Sequence, residues 1–479
     1  MKKLKIELHW QIFIAMTFAV IFGISFPTKY KFTYETFEEF SKEARMMQIP
    51  ESQINCLEIL RDKDPVTETE FFETISYSPI ELNAANKELI SKHAKYNVPL
   101  GYVRFLGDIF MRALKMLIVP LVLSSIISGI ANIGSGGKLG KMGLKTILYY
   151  LFSTSLAIFG GIIFVNIFKP GIGVDIGLIA DVQGLDTVQK PFSDILIQMI
   201  PDNIFTAFLN QDMLAIIFFS ILFGFFITQT NTKSKQTLTG FFNAFFDVMM
   251  KITMFVVSFA PLGVFGLICV IVADRAGDTD KLMNLVNSLG MYSLVVIIGL
   301  AVHAFIVLPL LVKIFGNSNP FKVMKATQPA LMTAFSTSSS AAALSLTLNC
   351  VQERCGVSTK VSGFTLPLGS TVNMDGTALY ECVAVYFIAQ AYGVDMTIGN
   401  QIIVAITALL ASIGAAGIPM AGFLMISVIL SAVGLEPEAI GLILAVDRIL
   451  DMFRTSVNVW SDCCGAVIIA KSEGEELKV

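Results

Sequence analysis

The chain has 479 residues, of which 54% are hydrophobic and only 15% charged, with a mean hydropathy of +0.71 and a formal net charge of -3. Soluble domains carry about a quarter of their residues as charges, so this is the composition of a membrane protein, and neither the charge balance nor any basic run points to a nucleic-acid partner. The seven cysteines, Cys56, Cys269, Cys350, Cys355, Cys382, Cys463 and Cys464, show no metal spacing, and their odd number argues against a disulfide framework.

The N-terminal run "MKKLKIELHWQIFIAMTFAVIFGISFPT" joins a basic start to an apolar stretch, and no small-residue cleavage pattern follows it. It reads as an uncleaved first span over Trp10 to Phe26. The polar segment 27–97 cannot cross a bilayer and is too long for a simple connection. It is expected to be a small extramembrane elaboration, helical around "ETFEEFSKEARMM" and "SPIELNAANKELISKHAKY". Apolar segments long enough to cross the hydrocarbon return at 101–133, 143–168, 195–230, 237–272 and 285–316. Lysines 2, 3 and 5, then 138, 141 and 145, then 233 and 235, then 313, 322 and 325 fall on alternate sides of these spans. The positive-inside rule assigns them to the cytoplasm and leaves the 27–97 segment outside.

Beyond residue 320 two apolar segments are interrupted by small residues, "FSTSSSAAALSL" at 335–346 and "SIGAAGIPMAG" at 412–422. Gly and Pro break the second, and consecutive serine hydroxyls compete for backbone groups in the first. Small residues also pack helices closely in membranes. Two such tracts, each followed by a charged span, instead read as re-entrant hairpins flanking a transporter binding site. Between them, "LGSTVNMDGTALYE" at 368–381 places Asn373, Asp375 and Gly376, all poor helix formers, in mid-span. The helix is expected to unwind there and free the carbonyls of Gly369, Thr371 and Asn373 to join the Asp375 carboxylate as an all-oxygen cage for a hard cation. A capped helix end with a structural Asp is the plainer alternative.

The last apolar segment carries "DRILDMFRTSVNVWSD" at 447–462. At about 100° per residue, Asp447, Asp451, Arg454, Thr455, Asn458 and Asp462 share one stripe. Ionisable side chains survive in a bilayer only when they face partners or water. On the stripe aspartates outnumber arginines, which calls for a cation rather than a self-contained ion-pair ladder. Asp451 can pair with an ammonium, Arg454 can bind a carboxylate bidentately, and Ser340 with its neighbours can meet an α-carboxylate at a hairpin tip. An acidic amino acid together with a metal cation fits these groups. Arg454 has no other evident anion on the stripe once ligand leaves.

The serine-rich first hairpin, "NMDGTALYE", "SIGAAGIP" and "DMFRTSVNVWSD" occur in the order of the glutamate/aspartate:cation symporters. This is the dicarboxylate/amino acid:cation symporter family that includes animal excitatory amino acid transporters and prokaryotic aspartate transporters. The chain resembles that family across residues 99–470. The resemblance implies an all-α membrane protein of eight transmembrane helices plus two re-entrant helical hairpins, of the elevator type, assembled as a homotrimer in the plasma or inner membrane with cytoplasmic termini. Residues 1–26 would be the N-terminus and first span, 27–98 an extracellular insertion, 99–134 and 195–272 the remaining scaffold, and 471–479 a cytoplasmic tail. Residues 143–168 and 285–470 would be the transport domain, with hairpins at 320–358 and 400–435.

It further implies substrate contacts at the Ser338 carbonyl, Ser340, Thr377, Ile418, Gly422, Asp451, Arg454, Thr455 and Asn458. Sodium sites are implied at Gly369, Asn373, Asn458 and Asp462; at the Thr371, Ser412, Ile413 and Ala415 carbonyls; and at Tyr150, Ser153, Thr154, Asn373 and Asp375. Animal relatives that cotransport a proton carry glutamate at the position of Glu381, so Glu381 is the proton candidate, with pairing to Arg448 as its structural alternative. Sodium is the coupling ion, the proton a second one, and potassium counter-transport is left open.

Some positions depart from the family pattern. Ala341, Ala343 and Ser345 alter the first hairpin tip, Ser461 stands where glycine is usual, and Met420 occupies a variable tip position in the second hairpin. Neutral amino acid carriers lack an arginine at 454 and dicarboxylate carriers an aspartate at 451; this chain has both. A channel with substrate-gated anion conductance stays open as a further activity. A hydrolase is disfavoured because no base accompanies the serine run: the three histidines are His9, His93 and His303, and the last reads as packed or lining. "GSGGKLGK" fails the phosphate-loop spacing. The chain is therefore expected not to be an enzyme.

Overall fold

The computed structural model describes residues 8–47, 49–60, 64–66, 71–72, 74–75, 84–96, 98–133, 140–174, 197, 199–276, 279–414, 421–435 and 440–479. Helix α1 (Leu8–Ser25) leads into β1 (Lys29–Tyr30), α2 (Tyr34–Met46), α3 (Glu51–Cys56), α4 (Ala84–Ala94) and β2 (Lys95–Tyr96). Then follow α5 (Val98–Ile133), α6 (Gly140–Phe168), α7 (Ile204–Asn210), α8 (Met213–Gln229), α9 (Thr232–Ser258), α10 (Ala260–Ala273) and α11 (Thr279–Val302). The chain ends with α12 (Leu308–Phe315), α13 (Pro320–Thr337), α14 (Ser340–Asn349), α15 (Thr359–Val372), α16 (Asp375–Ala391), α17 (Ile398–Gly414), α18 (Ala421–Ala432) and α19 (Ile440–Ser472). Among the described residues Pro99–Ala131, Lys141–Phe168, Thr232–Ser258 and Leu282–Phe315 are long and apolar enough to cross a membrane.

Two segments expected as single spans are broken. The 195–230 segment stops at the polar run Asn210–Gln211–Asp212, where Gln211 takes a left-handed conformation at φ 57° and closes α7. The 237–272 segment divides between α9 and α10 because Pro261, in the first turn of α10, has no N–H to continue the preceding ladder.

The molecule forms two compact units. The first comprises residues 1–112, 174–187 and 258–287. Here α1 packs along α10, with Gly23 lying against Val272 and Cys269 Sγ 3.6 Å from the Ala19 carbonyl. A side chain at Gly266 would come within 2.5 Å of the Gly107 nitrogen, so α5 and α10 touch backbone to backbone. The inserted segment builds its own apolar core from Phe32, Phe37, Phe40, Ile54, Leu57 and Ile90, among others. Phe37, Phe40, Ser41 and Ala44 are buried at helical spacing on α2, which starts in a capping box between Thr33 and Thr36. The pairing of β1 with β2 closes this segment on itself, and Lys95 Nζ and Thr28 Oγ1 fasten it to Asp274 at 2.9 and 2.7 Å.

The second unit comprises residues 113–173, 188–257 and 288–479. Both expected interruptions occur here as helix pairs. In the first, α13 ends at Ser338 (φ 49°), Ser339 caps α14 through Ala342 N, and α13 packs on α14. In the second, α17 and α18 pack together; the tip between them, with Ala415, Ile418 and Met420, lies outside the described residues. Helix α16 is buried along Asp375–Ala389 and is held between α6, α18 and α19. Helix α11 passes into α12 through a π turn at His303–Val307, just before Pro309. Among the described residues Cys269, Cys350, Cys355, Cys382, Cys463 and Cys464 are free and buried.

Candidate functional site

The expected unwinding is present. Helix α15 ends at Val372, Asn373 and Met374 leave helical geometry, and α16 restarts at Asp375. Asn373 N donates to the Gly369 carbonyl at 2.9 Å, which uses one of that oxygen's two lone pairs. The carbonyls of Thr371 and Asn373 take no backbone hydrogen bond across the break among the described residues.

Around the break sits a buried oxygen cluster. Asp375, fully buried, accepts from Thr154 Oγ1 at 2.6 Å, Ser153 Oγ at 3.3 Å, Ser461 Oγ at 2.7 Å and His303 Nε2 at 2.9 Å. The Asn373 amide donates to Asp462 Oδ1 at 2.9 Å and to Ser461 Oγ at 3.0 Å, while its own oxygen lies 3.3 Å from Ser153 Oγ. Tyr150 donates to the Thr365 carbonyl at 2.8 Å. A side chain at Gly369 would collide with Asp462 and with the Tyr150 hydroxyl, so glycine is what lets these groups converge. No lysine or arginine pairs with Asp375 or Asp462 among the described residues. Two buried carboxylates in that setting, ringed by hydroxyls, an amide oxygen and free carbonyls, match the donor set of a hard cation.

A second cluster lies further along the α19 stripe. Arg454, 1% exposed, donates from Nε to Asp451 Oδ1 at 2.8 Å and from Nη1 to Asp447 Oδ1 at 3.0 Å, and stacks 4.2 Å from the Tyr380 ring centre. Tyr380 donates to the same Asp447 oxygen at 2.6 Å. Asp447 is therefore the anion that the sequence reading left Arg454 without, which corrects that expectation. The two sit two helical turns apart, within reach of the long guanidinium arm. Among the described residues Arg454 Nη2 has no partner. Arg448 Nη1 pairs with Asp451 Oδ2 at 3.3 Å, and the Thr455 hydroxyl lies 3.4 Å from Asp451.

Asn458 joins the clusters. Its oxygen accepts from Gly376 N at 2.7 Å and Thr377 N at 3.3 Å, capping α16, and its amide donates to Thr377 Oγ1 at 3.0 Å. A side chain at Gly376 would meet the Arg454 carbonyl at 2.5 Å; one at Gly422 would meet Arg454 Nη1 at 3.0 Å and Thr377 at 3.1 Å. Thr377, Gly422, Asp451, Arg454, Thr455 and Asn458 are thus brought together. Ser338 and Ser340 are buried at the hairpin turn, with Ser338 Oγ unpartnered. No hydrogen bond links them to the stripe among the described residues, although α13 itself is fixed to α19 by Ser456 Oγ on the Leu331 carbonyl at 3.2 Å. Ser412 is buried and bonded to its own helix at Leu409, and Thr371 likewise to Leu368. Ile413 lies in the last turn of α17, one residue before its end at Gly414; Ala415 and Ile418 fall outside the described residues.

Both Glu381 carboxyl oxygens are buried and have no partner among the described residues, and Arg448 serves Asp451 instead. Sequence reasoning missed His303 and Tyr380 and gave Ser461 no role. A lone histidine in an apolar span was the available signal for His303; Tyr380 sits inside "NMDGTALYE" with nothing to mark it.

The profile described as "Sodium:dicarboxylate symporter family" matches residues 93–472. Excitatory amino acid transporter 3 of Mus musculus is 36% identical over 436 residues, covering 80% of this chain and 81% of that protein. The excitatory amino acid transporter of Caenorhabditis elegans is 36% identical over 413 residues, 77% and 81% of the two chains. The proton/sodium-glutamate symport protein of Bacillus caldotenax is 36% identical over 385 residues, 78% and 89%. These matches and the apolar helices together make this a multi-pass membrane protein, and the chain belongs to the sodium:dicarboxylate symporter family.

Proposed function

We propose that the chain carries acidic amino acids, L-glutamate or L-aspartate, into the cell by symport with sodium. The observation that carries this reading is Arg454: a buried guanidinium whose Nη2 has no partner among the described residues, beside a glycine at 422 where a side chain would crowd Nη1 at 3.0 Å. A side-chain carboxylate would accept from that edge, while Asp451 takes the substrate ammonium. Asn458, Thr377, Thr455, Ser340 and the Ser338 carbonyl complete the pocket, with Ile418 and Gly422 on the second hairpin.

Sodium would bind at Asp375 with Asn373, Tyr150, Ser153 and Thr154; at Asp462 with the Gly369, Asn373 and Asn458 oxygens; and at the carbonyls of Thr371, Ser412, Ile413 and Ala415. Neutralising Asp375 and Asp462 fixes the Asn373–Gly376 bend, and that bend presents Thr377 and Asn458 to the substrate. Cation and substrate then stabilise one arrangement, which is thermodynamic coupling. Glu381 is the proton carrier, its two buried carboxyl oxygens having no hydrogen-bond partner among the described residues. The architecture is eight spans and two re-entrant hairpins, with an elevator-type transport domain (143–168 and 285–470) on a static scaffold, in a homotrimer of the cell membrane with cytoplasmic termini and an external insertion. Purified protein in liposomes tests the function. Labelled aspartate or glutamate should accumulate under an inward sodium gradient, and uptake unaffected by removal of sodium would refute the proposal.

A further inference from the structure

Away from both clusters, α11, α13 and α19 enclose a cavity of about 650 Å³. Its volume is within the range of about 300–1,000 Å³ typical of small-molecule sites. Phe321, Lys325, Gln328, Met332 and Phe335 line it from one face of α13, a stripe about 21 Å long at 1.5 Å per residue. Matching apolar faces of α11 and α19, including Leu300 and Val457, form the other walls. Polar atoms deep in the walls are already used: Trp460 Nε1 donates to the Ala304 carbonyl at 3.0 Å and Ser456 Oγ to the Leu331 carbonyl at 3.2 Å. The body of the cavity therefore offers water few partners.

The first half of the α13 stripe differs. Lys325 and Gln328 are exposed there, and neither has a hydrogen-bond or ion-pair partner among the described residues. Lys322 lies one turn from Lys325, and α13 contains no acidic residue. Phe305, Phe321 and Met332 at the rim are exposed, as side chains facing lipid are. The stripe exceeds the roughly 15 Å of hydrocarbon in one leaflet. On the positive-inside reading these lysines lie at the inner leaflet, the one that holds anionic lipid.

We propose that this cavity is a binding site for one anionic phospholipid, with an acyl chain lying along α13 and the phosphate at Lys325, assisted by Gln328 and Lys322. The chain would rest on the Phe453–Val457–Trp460 side of α19, the reverse of the stripe that carries Asp451 and Arg454.

The test measures lipid retained by the purified full-length protein after exchange into equal dioleoyl phosphatidylglycerol and dioleoyl phosphatidylcholine. Wild type should prefer the anionic lipid, and Lys325→Gln should reduce that preference about fivefold, the usual effect of one basic residue at a membrane surface. Lys233→Gln, an exposed lysine elsewhere in the same unit, should leave it intact. Met332→Trp should lower retention of both lipids by filling the groove. Excess glycerol 3-phosphate, which has no chains, should displace neither. Equal retention by wild type, a preference that survives Lys325→Gln or falls equally in Lys233→Gln, or displacement by glycerol 3-phosphate would overturn the proposal. Should Met332→Trp fail to fold, the surface variant Lys325→Gln decides the matter alone.

Discussion

Replacing Arg454 by cysteine separates its ion-pair role from the proposed substrate role. The substitution removes Nη1 from Asp447 at 3.0 Å, Nε from Asp451 at 2.8 Å, and the stacking 4.2 Å from Tyr380. Asp447 then keeps the Tyr380 hydroxyl at 2.6 Å, and Asp451 keeps Arg448 at 3.3 Å. Breaking a buried ion pair from one side costs about 3–5 kcal/mol, because the remaining charge stays desolvated. With Arg448 still beside Asp451, the lower end applies, about 3 kcal/mol. Losing a buried charged contact to substrate costs a further 2–5 kcal/mol or so of binding, about 30- to 5,000-fold in affinity. Asp447→Asn in the cysteine background removes the stranded carboxylate and should recover a large part of the stability, yet acidic substrate should still not bind. Thermal unfolding in detergent reads the first quantity, and labelled aspartate binding reads the second. Aspartate affinity within about threefold of wild type in Arg454→Cys, which is under 1 kcal/mol, would remove the substrate role. Acidic binding rescued by Asp447→Asn would show that Arg454 acts as a structural ion-pair partner.

Other expectations are more local. Wild-type uptake should accelerate as external pH falls, whereas Glu381→Gln should keep sodium-dependent exchange and lose that acceleration; wild-type uptake flat with pH would make Glu381 structural. Gly376→Ala pushes a methyl to 2.5 Å from the Arg454 carbonyl. It should cost at least about 1–3 kcal/mol as an overpacked site and weaken substrate binding, measured by thermal unfolding and uptake. Ser461→Gly removes a hydroxyl 2.7 Å from Asp375 and should raise the sodium concentration for half-maximal binding severalfold without changing substrate selectivity. In the inserted segment, hydrogen bonds from Lys92 and then His93 hold the Glu43 carboxyl below its usual range. That stabilisation is present above the unfolded carboxylate value of about 4.3 and is lost as pH falls through the lowered folded value. Protection factors for amide exchange in α2 and α4, each taken relative to the intrinsic rate at that pH, should therefore fall at acid pH, and Lys92→Met should weaken the effect.

Much of the second unit was legible because composition and local chemistry agreed there. Asn373, Asp375 and Gly376 interrupt an apolar run, and the helix breaks at Asn373–Met374. The serine tract gives a turn at Ser338–Ser339 for the same reason. The Arg454–Asp447 bond was missed although both residues were on the stripe, because a wheel shows the face a side chain occupies but not how far it reaches along the axis. His303 meets Asp375 across two elements 72 residues apart, a tertiary fact without a local signal. The insertion's core was hidden likewise. The 3–4 spacing on α2 announces an apolar face, but nothing nearby says that Ile54, Leu57 and Ile90 will cover it.

The same contrast bears on how one helix would serve two ligands under the proposed function. The carboxylate–hydroxyl cluster and the arginine cluster share α19, and between them along that helix Asn458 caps α16 at Gly376 and Thr377. Gly376 has room for no side chain against the Arg454 carbonyl, so the start of α16 cannot shift without moving the backbone that carries the guanidinium. Under the proposed function, a cation that pinned Asn373 and Asp375 would thus also set the distance between Thr377 and Arg454. Coupling of this kind needs no long pathway. It follows from two charged clusters placed on either side of one rigid, close-packed junction, where the free energy of occupying the first appears as geometry at the second.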